Sequence, residues 1–249
     1  MFEEIYDDYV KEEARVHSAK REAKRERGWF SASSAGSCFK QQFYNSISED
    51  ETDPPKNEAL RKMRLGTVMH KEFEKAMKYA EKKNHLYKYF IEYPIELPNL
   101  MVKGTLDCAI YNEATLDLVV ADWKTIGSYP YKLRFGREKS KNKSKVSTNY
   151  ELQCSTYTEG LLKVINKSVQ NAITQLIFYN KDTSRMKTME ISPYMREEAI
   201  AYWEDLNDFI DEEGERIRHI KPNTCVNVPA QQWECNYCRF ESLCKAESD

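Results

Sequence analysis

The chain has 249 residues, enough for one α/β domain with an appendage and a sizeable core rather than several domains. A hydrophobic share of 41% against a charged share of 31% reads as globular but polar, and no apolar run approaches the length of a membrane span. The net charge of -2 excludes a global basic field, so any contact with nucleic acid must come from local patches. Seven cysteines, an odd number, do not suit a disulfide framework. Residues 1–10 are acidic and aromatic, unlike a signal peptide, so the expected location is the cytoplasm. Clustered cysteines there point to metal or redox roles.

Residues 3–27 are highly charged with few breakers before Gly28 and are expected to be helical; the basic stretch 15–27 reads as a solvated face in preference to a DNA-contacting arm. Residues 29–47 run through small residues to Cys38 and then into a short aromatic helix. After a polar loop over 49–56, Asn57 is placed to cap a long helix reaching Lys83. Leu60, Met63, Phe73 and Met77 recur along it at helical spacing, and His70 shares that stripe. A histidine in such a place is ordinarily a hydrogen-bonded core residue.

Residues 87–97 read as a first strand, with Pro94 marking an edge or a bulge. Residues 100–110 and 115–125 flank a turn at Tyr111-Asn112-Glu113 and make a hairpin. Leu118 to Ala121 is a continuous apolar run, as a central strand covered on both faces requires. Asp107 stands near the end of the first hairpin strand and Asp122 near the end of the second, after its apolar run. A carboxylate there is costly to bury unless a cation meets it. Lys124, two residues on, points to the same face as Asp122. Two carboxylates and a lysine at one sheet edge form a divalent-metal site for phosphate chemistry; the plainer alternative is two strand-end acids and a solvated lysine.

Residues 128–147 read as a polar, mobile connection. Lys132, Arg134, Arg137, Lys139, Lys141, Lys143 and Lys145 stand there against Glu138 alone, with Tyr129, Tyr131 and Phe135 interleaved. Tethered just after the acids, this run reads as a loop that tracks phosphates. A helix over 149–166 sets Gln153 and Tyr157 one turn apart on one face. Strands follow over 172–179 and 186–191, then a helix over 193–219 with Trp203, Leu206, Phe209 and Ile210 on its core face. The tail carries Cys235, Cys238 and Cys244. Three cysteines cannot saturate a tetrahedral or cubane site, and Cys225 and Cys38 are the candidate fourth ligands. Four thiolates suit zinc or an iron–sulfur cluster.

In this order the motifs resemble the PD-(D/E)XK nuclease superfamily in its RecB-type form. Asp107 is the first acid, within Gly104-Thr105-Leu106-Asp107, where Leu106 replaces the proline of the name. Asp122-Trp123-Lys124 is the (D/E)XK part, Gly66-x-x-x-His70 the leading motif and Gln153-x-x-x-Tyr157 the last. The cysteines resemble those of the iron–sulfur branch, which includes AddB and the CRISPR-associated exonucleases: Cys38 before the core and three after it, with Phe39-Lys40 where the family often has Pro-Arg. The resemblance covers residues 31–245. It implies an α/β, restriction-endonuclease-like αβββαβ core, a mixed central sheet flanked by helices, and a C-terminal iron–sulfur segment. The expected organisation is a charged N-terminal helix (1–30) and a nuclease domain (31–245), with its core at 57–192, a helix at 193–219 and the cysteine tail at 225–245.

What the resemblance implies for chemistry is a metal-dependent DNA nuclease, an exonuclease acting on single-stranded ends in repair or recombination. His70, Asp107, Asp122 and the backbone carbonyl of Trp123 would hold Mg²⁺ or Mn²⁺, with Lys124, Gln153 and Tyr157 completing the catalytic set. Cys38, Cys235, Cys238 and Cys244 would hold a [4Fe-4S] cluster as a structural staple. The implied partner is DNA, with any helicase, recombination or CRISPR partner a separate chain. The absence of a Walker-type glycine loop excludes ATP-driven motion within these residues. The rival readings are a non-cleaving DNA- or partner-binding module on the same fold, and a four-cysteine zinc protein with incidental acids.

Overall fold

The computed structural model describes residues 2–22, 26–136, 148–165 and 169–248, so Arg137, Lys139, Lys141, Lys143 and Lys145 lie outside the described residues. The chain forms two units: Ser31–Ala35 with Met69–Trp203, and Met1–Phe30 with Gly36–Val68 and Glu204–Asp249.

The first unit is built on a mixed sheet. Its strands are β1 (Phe30–Ser31, entering the unit at Ser31), β2 (Tyr87–Leu97), β3 (Val102–Asn112), β4 (Asp117–Ile126), β5 (Asn171–Asn180) and β6 (Met186–Ile191). They lie in the order β1-β3-β4-β5-β6, with β2 also pairing β3. β4 and β5 are parallel, while β2–β3, β3–β4 and β5–β6 are antiparallel. The apolar run of β4 is central as expected, and Leu118 and Val120 are fully buried. Helix α5 (Asn149–Val164) packs against the sheet through small residues; a Cβ on Gly160 would meet that of Ile95 at 2.9 Å. Its buried Thr156 accepts the indole N–H of Trp203 at 2.9 Å.

Two gaps in the ladders shape this unit. β2 and β3 pair residue for residue from Tyr87 and Asn112 to Leu97 and Val102, except where Glu92 stands opposite Asp107. Glu92 has φ +47°, a left-handed value that takes a strand residue out of register. β3 and β4 pair only from Asn112 and Asp117 to Cys108 and Ala121. The next facing pair would be Asp107 and Asp122, and there the strands part. Asp107 and Asp122, both expected near strand ends, are mid-strand, and Asp107 belongs to neither the β2 nor the β4 ladder.

The second unit joins α1 (Phe2–Glu22), α2 (Phe39–Ser46), the first turns of α3 (Asn57–Lys83), the end of α6 (Tyr194–Glu213) and α7 (Glu241–Ser248). Phe43, Tyr44, Ile217 and Phe240 form its core, with Phe209, Ile210, Ile220 and Leu243 packed around them. Lys40 is fully buried, and its Nζ donates to the carbonyls of Arg218 (2.6 Å) and Ile220 (3.1 Å) and to Ser248 Oγ (2.7 Å). Arg61 forks onto both carboxylate oxygens of Asp7 at 2.7 and 2.9 Å, tying α3 to α1.

Three further expectations need correction. The stretch after β4 is not wholly irregular: α4 occupies Ser128–Phe135, held by tertiary contacts its polar composition does not announce. The helix expected over 193–219 stops at Glu213, because Gly214 takes φ +52° and a 3-10 segment, Gly214–His219, follows. Met63 is half exposed rather than core, since ion pairs from Arg61 and Arg64, not an apolar stripe, hold that end of α3. Among the described residues, no helix is long and apolar enough to cross a membrane.

Candidate active site

All six side chains expected at the metal site, His70, Asp107, Asp122, Lys124, Gln153 and Tyr157, fall in the sheet unit. α3 reaches the sheet through Phe73, whose ring stacks on Trp123 of β4 at 4.0 Å with planes 16° apart. His70 lies one turn before Phe73 on the same face, and its Nδ1 is 3.4 Å from Asp107 Oδ2. The hydrogen bond with Asp107 holds the imidazole pKa above its ordinary value. The same carboxylate oxygen accepts the backbone N–H of Trp123 at 2.8 Å. A side chain thus spans the fork where the β3–β4 ladder has stopped, and brings the Trp123 backbone to the site.

Asp122 is 1% exposed. Burial pushes its carboxyl up to about 6, against the pull of the Lys124 charge. Its Oδ1 accepts a hydrogen bond from Gln153 Nε2 at 3.3 Å. Its Oδ2 is 2.7 Å from Lys124 Nζ but off the hydrogen-bonding direction, so this buried oxygen has a charge contact and no hydrogen bond. Lys124 Nζ donates instead to Gln153 Oε1 at 2.8 Å. Burial acts to lower the Lys124 pKa, but the neighbouring Asp122 outweighs it and keeps the ammonium charged. Gln153 Nε2 also donates to Tyr157 Oη at 3.1 Å. One amide thereby ties the acid, the lysine and the phenol together, as the turn-long spacing of Gln153 and Tyr157 allows.

Gly104 explains itself here. A Cβ at that position would lie 2.9 Å from Ala32 Cβ and 3.0 Å from Tyr157 Cε1, so the motif glycine lets β3 approach the site helix.

Two residues of the site escaped the sequence reading. Glu92 faces Asp107 across the ladder gap; burial first, then the charge of Asp107, raises its carboxyl pKa. A glutamate two residues before a strand proline was the only signal. Tyr150 offers its ring to Lys124, with Nζ 4.8 Å from the centroid. Its spacing of three from Gln153 was the available clue. Of the basic run, Lys132 is exposed on α4, whereas Arg134 is ion-paired with Glu151 and only 9% of its side chain is exposed.

Among the described residues, no three His, Cys, Asp or Glu side chains are spaced to hold a metal ion. The donor set nevertheless suits a hard divalent cation: carboxylates with one imidazole, and a buried Asp122 oxygen whose lone pairs no hydrogen bond takes up. By donor type, though not by spacing, the candidates are His70, Asp107 and Asp122.

In the other unit, Cys38, Cys235, Cys238 and Cys244 line one cavity, together with Lys40, Tyr44 and Pro229. Burial pushes the Cys38 thiol up to about 12 and Cys238 up to about 11, and raises Cys235. Cys225 is exposed and is not among the lining residues; Cys108 and Cys154 are buried in the sheet unit.

The solved structure of SSO0001 is similar to this chain, with a TM-score of 0.57 and 18% identity over 98% of this chain and 97% of that one. At such identity the likeness speaks for the fold alone. No curated protein sequence matches. The sequence profile of the PD-(D/E)XK nuclease superfamily matches residues 1–245, nearly the whole length. With that match over a mixed sheet whose forked strands carry Asp107, Asp122 and Lys124, the chain belongs to the PD-(D/E)XK nuclease superfamily.

Proposed function

We propose that this protein is a RecB-type deoxyribonuclease that hydrolyses DNA phosphodiester bonds with Mg²⁺ or Mn²⁺, working from single-stranded ends in repair or recombination. The observation that carries the reading is the β3–β4 fork, where His70, two aspartates and a charged Lys124 converge from four places in the sequence. His70, Asp107, Asp122 and the Trp123 carbonyl would hold the ion. When bound, it lowers the pKa of a water and polarises the phosphoryl oxygen.

The chain's own residues do the rest. Lys124, kept protonated by Asp122, supplies positive charge where the phosphate becomes more negative, rather than acting as the base. Gln153 fixes both Lys124 and Asp122, and Tyr157 fixes Gln153. Phosphate tracking falls to Lys132 and to Arg137, Lys139, Lys141, Lys143 and Lys145, since Arg134 is committed to Glu151. Cys38, Cys235, Cys238 and Cys244 would hold a [4Fe-4S] cluster that staples the chain ends. The donor chemistry fits, and the support is one shared cavity.

Labelled single- and double-stranded DNA, incubated with Mn²⁺ or Mg²⁺, tests the activity. Wild type is expected to degrade linear strands and spare circles, and Lys124→Ala to lose about a hundredfold or more in rate. DNA retained uncut by wild type would favour a binding module instead. Iron and acid-labile sulfide in equal amounts on the purified protein support the cluster; zinc would overturn it.

A further inference from the structure

The catalytic set leaves one side of Lys124 to a residue outside the motifs. Its Nζ has one hydrogen bond, to Gln153 at 2.8 Å, and an off-direction charge contact with Asp122 at 2.7 Å. The ring of Tyr150 lies against the same ammonium, 4.8 Å from centroid to Nζ. Tyr150 and Gln153 are three apart on α5, so they reach Lys124 from one helix face. Tyr150 is itself 36% exposed, whereas the Lys124 side chain is only 14% exposed. The ring is thus the more exposed partner of the pair.

The ring is held in turn. Arg134 of α4 lies 5.6 Å from the Tyr150 ring and 5.0 Å from that of Phe178. It is ion-paired with Glu151, the residue after Tyr150. Phe178 of β5 also touches Tyr150, with centroids 6.4 Å apart. Two cations therefore share one aromatic ring, one of them locked by a carboxylate and a second ring.

We propose that Tyr150 is a positioning residue for Lys124: its ring face, anchored by Arg134 and Phe178, keeps the ammonium aimed into the fork instead of swinging to solvent on its flexible stem. The attraction between an ammonium and the negative face of a ring supplies the force, and partial exclusion of water strengthens it. The effect on turnover rests on the nuclease reading above; the placement of Lys124 does not.

Two variants of the full chain separate ring from hydroxyl. Tyr150→Leu is expected to lower kcat about tenfold with KM for DNA within about twofold, and Tyr150→Phe to stay within about twofold of wild type in both. Equal loss in both variants, no loss in either, or a change confined to KM overturns the proposal, the last making Tyr150 a substrate platform. An activity-free readout runs beside this: an amine-acylating reagent with peptide mass spectrometry. Lys124 is expected to be modified about threefold faster in Tyr150→Leu and at the wild-type rate in Tyr150→Phe, with Lys163 and Lys181 unchanged. If wild type cuts no DNA yet the labelling follows this pattern, the nuclease reading falls and the positioning role stands. Labelling of Lys124 that ignores the ring sinks the positioning role.

Discussion

The forked sheet and the cysteine cavity both gather metal-type ligands, by opposite means. At the fork the donors come from neighbouring strands and one helix, and they are cross-tied: Lys124 against Asp122, Gln153 bridging both, Asp107 fastened to the Trp123 backbone. In the cavity the donors come from Cys38 and from the far end of the chain, and burial favours neutral thiols. A cavity of protonated thiols gains its ligand charge only by giving up protons to a metal, so its binding energy becomes folding energy. On the function proposed above, the fork would serve chemistry and the cavity cohesion.

Four substitutions would break or sharpen that contrast. The largest effect is expected from Asp107→Asn, about a thousandfold loss of DNA cleavage with unchanged iron content; a parallel loss of iron would show that the two sites are not separate in kind. Next, Cys238→Ser should strip the metal and lower Tm by about 5 °C or more in a thermal melt, and an unchanged melt would remove the cohesive role. Gly104→Ala should cost about 1–3 kcal/mol in urea unfolding, because the added methyl group meets Ala32 and Tyr157. The smallest effect belongs to Lys40→Met, about 1 kcal/mol by the same method, as three carbonyls and the Ser248 hydroxyl lose a donor.

Local pattern carried much of the architecture. The helix over 57–83 and the strands over 87–97 and 186–191 have the bounds their periodicity implies. Motif order picked out the side chains that meet at the fork, because i, i+2 on a strand and i, i+4 on a helix fix faces before any tertiary contact exists. What escaped depends on partners distant in sequence. α4 owes its place to Arg134 with Glu151, Tyr150 and Phe178, none of which a polar stretch reveals. Glu92 matters only because β2 lays it opposite Asp107. The break at Gly214 was legible as a glycine but was overruled by the apolar spacing on either side of it.

The lone unpaired position in β3 also decides where this gene can tolerate extra codons. Residues inserted in the 113–116 turn would only lengthen a loop beyond the paired ends, leaving both strands in step. One residue added between Gly104 and Asp107 would instead slide Leu106 into the opening or turn the acid to the other face. Tags and reporter insertions therefore belong in the hairpin tip, six positions from Asp107 on one side and six from Asp122 on the other.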